Sequence, residues 1–269
     1  MDIQAFDQMH AQALRRLWFL GDVHGHFEHI GPAVEAAGAA GSAPTWLVFL
    51  GDLQLSRTLK TELDEIRSLR EFGVRVAFIH GNHDADSHEN WEYLHDCGDA
   101  VALHGQVVEL AGIRVAGLGG NFQGRVWYPP AEPNVRRKAE VMNRGPWARR
   151  NGQRPNPKYH SAIYPDEVLA LSRKRADILV THEAPSCHPH GWPALDDLAR
   201  AMGVSRLFHG HTHDDLSDAY LLVREGLGFD SRAVDFCLIK NGLGETVSLS
   251  EPVWYGPSVN HPNLRRLIR

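Results

Sequence analysis

Short apolar runs alternate along the chain with stretches whose apolar residues recur every three or four positions. The runs at 17–20, 46–50, 74–79, 177–180 and 206–208 are too short for helices and fit buried strands. Between the second and third, Leu59, Leu63, Ile66, Leu69 and Phe72 share one helical face, so the spacing predicts a helix over 58–72. Further helices are expected at 87–96, 166–175 and 194–202. The stretch 101–120 alternates instead, with Ala111-Gly112 at a hairpin turn, and 233–250 repeats that pattern around Asn241-Gly242. Hairpins mixed with strand–helix units predict an α/β protein with a sandwich of mixed sheets, not one purely parallel sheet.

One stretch breaks the rhythm. Residues 121–160 show little periodicity and hold seven Arg and two Lys against two Glu, in a chain whose net charge is −5. The expectation is a single domain over 1–269 interrupted by this basic, Pro-rich insertion. It reads either as a solvated loop or as a lid. As a lid, Arg125, Arg136 and Arg137 are the candidates to grip a substrate's phosphate, and Phe122, Trp127, Tyr128, Trp147 or Tyr159 could stack on a base.

Following each apolar run to its end exposes the chemistry. They run into Gly21-Asp22-Val23-His24, Gly51-Asp52, Gly81-Asn82-His83-Asp84, Thr181-His182 and His209-Gly210-His211-Thr212-His213. Five strands thus deliver oxygen or nitrogen donors just past their carboxyl ends, the edge at which sites assemble in α/β sheets. Glycine ahead of these groups suggests sharp turns out of the strands. Carboxylate, amide and imidazole donors suit Mn²⁺, Fe or Zn²⁺.

In order, "GDVHGH", "GD", "GNHD", "TH" and "GHTH" resemble the motifs of the calcineurin-like metallophosphoesterases. The resemblance implies two packed mixed β-sheets flanked by helices, a four-layer α/β/β/α sandwich. It also implies two divalent metal ions. One would be held by Asp22, His24, Asp52 and His213, the other by Asp52, Asn82, His182 and His211. Asp52 would bridge, and His83 would act at the scissile phosphate as acid or charge stabiliser. Asp52, Asn82 and His83 are thus the catalytic candidates. Metal ions about 3.5–4 Å apart repel, and a shared carboxylate and hydroxide reduce that repulsion. The bridging hydroxide is the expected nucleophile. The expected reaction is hydrolysis of a small phosphate monoester or diester, nucleotides included.

The second motif departs from the phosphoprotein-phosphatase pattern Gly-Asp-x-x-Asp-Arg-Gly. It reads "GDLQLSR", with Leu55 and Ser56 where that pattern has Asp and Arg. The histidine's usual carboxylate partner is missing, so a protein-phosphatase activity is not expected and what orients His83 is open. Arg57, one residue out of register, reads as a surface residue. Among the other histidines of seventeen, His26, His29, His80 and His209 read as supporting or structural residues, and His188 and His190 as part of a solvated loop.

Composition narrows the alternatives. The chain is 43% hydrophobic with a pI of about 6.4, which argues against an extended nucleic-acid surface. A nuclease of the same chemistry is therefore possible but not favoured. A non-catalytic scaffold of this fold is disfavoured because no ligand has been lost. A metallo-β-lactamase-type site would need His-x-His-x-Asp-His, which the run at 209–215 does not complete. Cys97, Cys187 and Cys237 suggest no disulfide framework, and no stretch suggests a leader or membrane span. A cytoplasmic protein with a small phosphorylated substrate and no membrane partner is the expectation.

Overall fold

Two five-stranded sheets pack face to face in the computed structural model, which describes residues 3–142, 154–213 and 217–247. The strands are β1 (Leu17–Leu20), β2 (Trp46–Phe49), β3 (Arg75–Phe78), β4 (Val101–Ala102), β5 (Val107–Leu110), β6 (Ile113–Leu118), β7 (Ile178–Thr181), β8 (Arg206–His209), β9 (Asp230–Ala233) and β10 (Ile239–Asn241). One sheet runs β10-β1-β2-β3-β4 and the other β5-β6-β7-β8-β9. In each, four strands are parallel and one edge strand, β10 or β5, is antiparallel.

The helices are α1 (Ile3–Arg15), α2 (Ile30–Ala39), α3 (Leu59–Glu65), α4 (Arg67–Glu71), α5 (His88–His95), α6 (Lys138–Met142), α7 (Pro165–Ser172), α8 (Pro193–Met202) and α9 (Asp218–Arg224). Alternate side chains of one strand enter different layers, because successive residues point to opposite faces. From β1, Leu17 and Phe19 join Val48, Ile79, Val115, Val180 and Phe208 between the sheets. Phe19 and Phe208 stack there, 3.9 Å between ring centroids and 11° between planes. Trp18 and Leu20 face the other way, onto Ile30, Val34, Leu59, Leu69 and Leu94 of α2 to α5. On the far side Leu118, Leu179 and Leu207 pack with Leu171, Leu198, Met202 and Tyr220 of α7 to α9. The result is the four-layer α/β/β/α sandwich. Both faces of the central strands are buried, which is why they read as unbroken apolar runs.

Several expectations change. The helix over 58–72 is two helices, because Ile66 sits between α3 and α4 with ψ of 85°. Phe72 lies beyond α4 and is exposed. The hairpin at Ala111-Gly112 forms between β5 and β6. Around Asn241-Gly242 the chain turns back only as far as a Lys240–Thr246 bridge, and β10 takes β1 as its partner. Helix α1 escaped the sequence pattern; the buried Arg206 of β8 ties it in, reaching Asp7 at 3.0 Å and Asp230 of β9 at 2.8 Å.

The described parts of the basic insertion are mostly exposed or half-buried, but a small apolar cluster anchors them to the residues that follow. Val126, Val141, Ala162 and Tyr164 are buried together, with Trp127, Val135 and Tyr159 packed against them. Trp147 lies outside the described residues. Cys97, Cys187 and Cys237 are not joined in disulfides. Among the described residues no helix is long and apolar enough to cross a membrane.

His29, just ahead of α2, is buried, and burial pushes its pKa down to about 4 while Glu28 pulls the other way. The unfolded chain takes up this proton near pH 6.5, and the folded chain does so only near pH 4. Stability is therefore full above pH 6.5 and falls as pH drops through that window, by up to about 3 kcal/mol for this one residue. His29→Gln is expected to flatten this limb. Urea midpoints of both proteins between pH 7 and 4 measure it; parallel curves would contradict it.

Candidate metal centre

The parallel strands of both sheets end at one shared edge. There β1 delivers Asp22, β2 Asp52, β3 Asn82 and His83, β7 His182, and β8 His211 and His213. The structure gathers them into two trios, Asp22 with His24 and His213, and Asp52 with His182 and His211. Within each trio the ligand atoms lie within 4.8 Å of one another. Two donors about 2.1 Å from one ion lie no more than about 4.2 Å apart, so each trio needs only a small contraction to hold a cation.

The trios touch. The Asp22 carboxylate is 3.1 Å from His213 Nε2 and 3.9 Å from His182 Nδ1. Asp52 Oδ2 is 3.4 Å from His182 Nε2, and Asn82 Oδ1 is 3.1 Å from the same nitrogen. His182 and His211 rings lie 4.8 Å apart.

Ring orientation is set from behind. His182 Nδ1 meets the Leu50 carbonyl at 2.9 Å, and His24 Nδ1 meets Gln54 Oε1 at 2.9 Å. Each contact leaves Nε2 for a metal, the arrangement by which second partners orient ligating imidazoles. The backbone is set too. His24, Asp52, His211 and His213 all have φ between +44° and +58°, although none is glycine. Such conformations persist only where the surroundings enforce them.

Only some of the glycines serve the need the sequence suggested. Gly51, at φ +101°, does make a sharp turn. At Gly81 and Gly210 the need is space: a Cβ would lie 2.2 Å from Asp52 Oδ1 and 2.3 Å from Asp22 Oδ1.

Charge is concentrated and buried here. Burial alone would raise the Asp52 carboxyl, but His182 and the His83 N–H hold it well below its ordinary range. Burial works against a charge on His182, yet Asp52 and Asp22 raise it to about 10. His211 is lowered to about 4 by burial and by His182, and His213 is raised by Asp22 against its burial. The neighbouring Asp84 is raised to about 6 by burial and by the Asp52 charge. Two buried carboxylates crowded among imidazoles ask for cations, and the donor set fits ions of the Mn²⁺, Fe or Zn²⁺ kind.

His83 answers the question left by the second motif. Its backbone N–H donates to Asp52 Oδ1 at 2.7 Å. Its ring Nδ1 is 2.9 Å from Asp86 Oδ2, so a carboxylate from its own turn takes the place of the missing one. Lys158 Nζ bonds the other Asp86 oxygen and donates to the Asn82 carbonyl at 2.8 Å. Lys158 and His83 counter the effect of burial, and Asp86 stays below the ordinary carboxylate range. Leu55 is part of the helix-side core, while Arg57 pairs with Glu62 and Glu65 at the surface.

The three candidate arginines of the insertion stand apart from these contacts. Arg125 lies over the Tyr159 ring at 5.8 Å, Arg136 pairs with Glu132, and Arg137 is exposed. Among the contacts of the described residues, none joins them to the metal edge. Nor is His188 a solvated residue: it is 9% exposed and lines a cavity of about 680 Å³ with Phe122, Tyr128, Glu183, Trp192 and His211. His190, in the same wall, is exposed. His209 is buried and meets the Tyr220 hydroxyl at 2.9 Å, His80 packs against His104 and Trp91, and His26 stays at the surface beside Glu28.

The family description matching residues 15–215 is calcineurin-like phosphoesterase. A Haemophilus influenzae (strain Rd) protein named "Uncharacterized protein" is 34% identical over 200 residues, spanning 74% of this chain and 84% of its own. The crystal structure of TT1561 of Thermus thermophilus covers 84% of this chain and 94% of its own, with 15% identity and a TM-score of 0.49. The Thermus thermophilus sulfate thiohydrolase SoxB covers 82% of this chain and 41% of its own, with 14% identity and a TM-score of 0.41.

Proposed function

The chain belongs to the calcineurin-like phosphoesterase family, and from that premise we propose that it hydrolyses a small phosphate monoester or diester with the aid of two divalent metal ions. The supporting observation is the pair of donor trios, each built on a buried carboxylate, that meet at one sheet edge. Asp22, His24 and His213 would hold one ion and Asn82, His182 and His211 the other, with Asp52 shared between them. Ions of the Mn²⁺, Fe or Zn²⁺ class, when bound, lower the pKa of water and neutralise phosphate charge.

The chain's own groups supply the rest. Asp52 fixes the His83 main chain while facing His182. That places the His83 ring beside His24, with 5.5 Å between centroids, on the exposed rim of the centre. With Nδ1 turned to Asp86, Nε2 is left to donate to the leaving oxygen or to stabilise charge there. The cavity beside His211 has room for the ester's organic part, and the rings of Phe122, Tyr128 and Trp192 give it an aromatic wall. A nucleic-acid substrate gains no support, since Arg136, Arg154 and Lys158 pair with this chain's own acidic residues.

The test is a panel of aryl and nucleoside phosphate esters, assayed after reconstitution with Mn²⁺, Fe²⁺ or Zn²⁺. Metal-dependent turnover of one class supports the reading; no turnover with any metal contradicts it. Within the panel, Trp192→Ala is expected to raise KM for aryl or nucleoside esters about tenfold with kcat little changed, the mark of lost uniform binding. Equal losses on methyl phosphate would show that the cavity does not receive the organic group.

A further inference from the structure

We propose that Lys158, delivered by the basic insertion, is a positioning residue for His83; this deepens the phosphoesterase reading and rests on it. His83 can act on a leaving oxygen only if its ring is held in one orientation. The second motif offers no carboxylate for that purpose, since Leu55 and Ser56 occupy the positions in question. Asp86 does the holding, at 2.9 Å from Nδ1. But Asp86 is itself a partly exposed side chain with a rotamer choice, and one contact to His83 does not fix it. The Lys158 ammonium does. It bonds the second carboxylate oxygen of Asp86 and the carbonyl of Asn82, so it clamps the chain on both sides of His83.

Lys158 is not a loose surface lysine. It sits in a single 3₁₀ turn, Pro157–Tyr159, whose start is capped by Asn156 accepting from the Lys158 N–H at 2.9 Å. The Lys158 carbonyl accepts from Gln123 Nε2 at 3.0 Å and from the Ser161 hydroxyl at 3.3 Å. Next to it the His160 ring stacks on Trp91 of α5, 4.7 Å apart and 19° from parallel, and Arg154 pairs with Glu92 of the same helix. The turn is therefore docked onto the segment that carries Asn82, His83 and Asp86. A clamp prepared in this way holds a reacting group in place without ordering it anew in each turnover.

The test separates positioning from simple attachment of the insertion. Lys158→Met is expected to keep wild-type metal content and to lower kcat about tenfold on phosphate esters with poor leaving groups. The loss should be smaller on 4-nitrophenyl esters, whose leaving oxygen needs no proton, and KM should be nearly unchanged. Lys158→Arg should recover most of the loss. In a His83→Gln background Lys158→Met should cost nothing more, because residues acting through one group are not additive. Equal losses with and without His83, or equal losses across leaving groups, overturn the proposal. If the wild-type protein turns over none of the esters, the phosphoesterase reading fails first. The positioning claim is then decided by the ¹⁵N and ¹H shifts of the His83 ring in zinc-treated protein. A change in Lys158→Met supports it and identical spectra overturn it.

Discussion

Asp52→Asn is expected to abolish phosphoester turnover, a loss on the order of 10³-fold or more in kcat/KM. Asp52 is 1% exposed and serves two neighbours at once: Oδ1 takes the His83 N–H at 2.7 Å, and Oδ2 faces His182 Nε2 at 3.4 Å. An asparagine keeps the size and one oxygen but loses the charge. If its oxygen keeps the His83 contact, its NH₂ points at His182 and at any cation between them. If it turns over, the His83 N–H loses its acceptor. Either orientation breaks one function of the carboxylate, so the loss does not depend on which rotamer wins. Metal analysis after dialysis should show fewer ions per chain, while circular dichroism should match the wild type, since an isosteric amide leaves no cavity. Turnover within tenfold of wild type would contradict the shared role of Asp52.

Which parts of this were readable in the sequence follows from where each residue's partners lie. The strands that carry the centre are buried on both faces, so their apolar runs are continuous and their ends are marked. Strand β9 has no such run. Asp230 and Arg232 point to charged partners, with Asp230 meeting Arg206 and Arg232, and a strand of this kind leaves no hydrophobic trace. Helix α1 buries only Phe6 and Leu14 among its thirteen residues, too few to mark a face. The break between α3 and α4 was hidden because Ile66 keeps the apolar spacing while leaving helical geometry.

The same rule separates the legible from the hidden at the centre. Asp22, His24, Asp52, Asn82, His182, His211 and His213 stand in short local motifs, and the strand order brings them to one edge. Asp86 lay in plain view two residues beyond the fourth motif residue, but only the turn at His83 faces it toward the ring. Lys158 is seventy-six residues from Asn82. The charge excess of the insertion pointed to its arginines, whereas the contact to the centre is made by a lysine at its far end. No local signal encodes such a contact; a clue was the absence of the expected carboxylate, which implied that some other group had to fill its role.

Gly81→Ala should be nearly as damaging as loss of Asp52, although it removes no functional group. A methyl there would lie 2.2 Å from Asp52 Oδ1, 2.4 Å from Asp52 N and 2.6 Å from His182 Cε1, distances that real Cβ atoms essentially never show. None of these neighbours is free to retreat. Asp52 is held at the end of β2, which pairs with β3 along its whole length. The His182 ring is pinned by the Leu50 carbonyl. Gly81 itself is held by its N–H on Asp84 Oδ2 at 2.8 Å. Overpacking of this kind costs about 1–3 kcal/mol of stability or more. A shift of about 1 Å in Asp52 or His182 is enough to lower the rate about 10²-fold. The matched control is Gly124→Ala, where a Cβ would meet nothing within 4 Å and φ is not positive, so both stability and activity should stay near wild type. Thermal melting, zinc affinity by calorimetry and kcat/KM measured side by side distinguish the outcomes. Lowered zinc affinity and turnover in the first variant, with both unchanged in the second, is the expected pattern. Equal behaviour of the two variants would mean that the close approach of the β2 and β3 ends is not what shapes the centre.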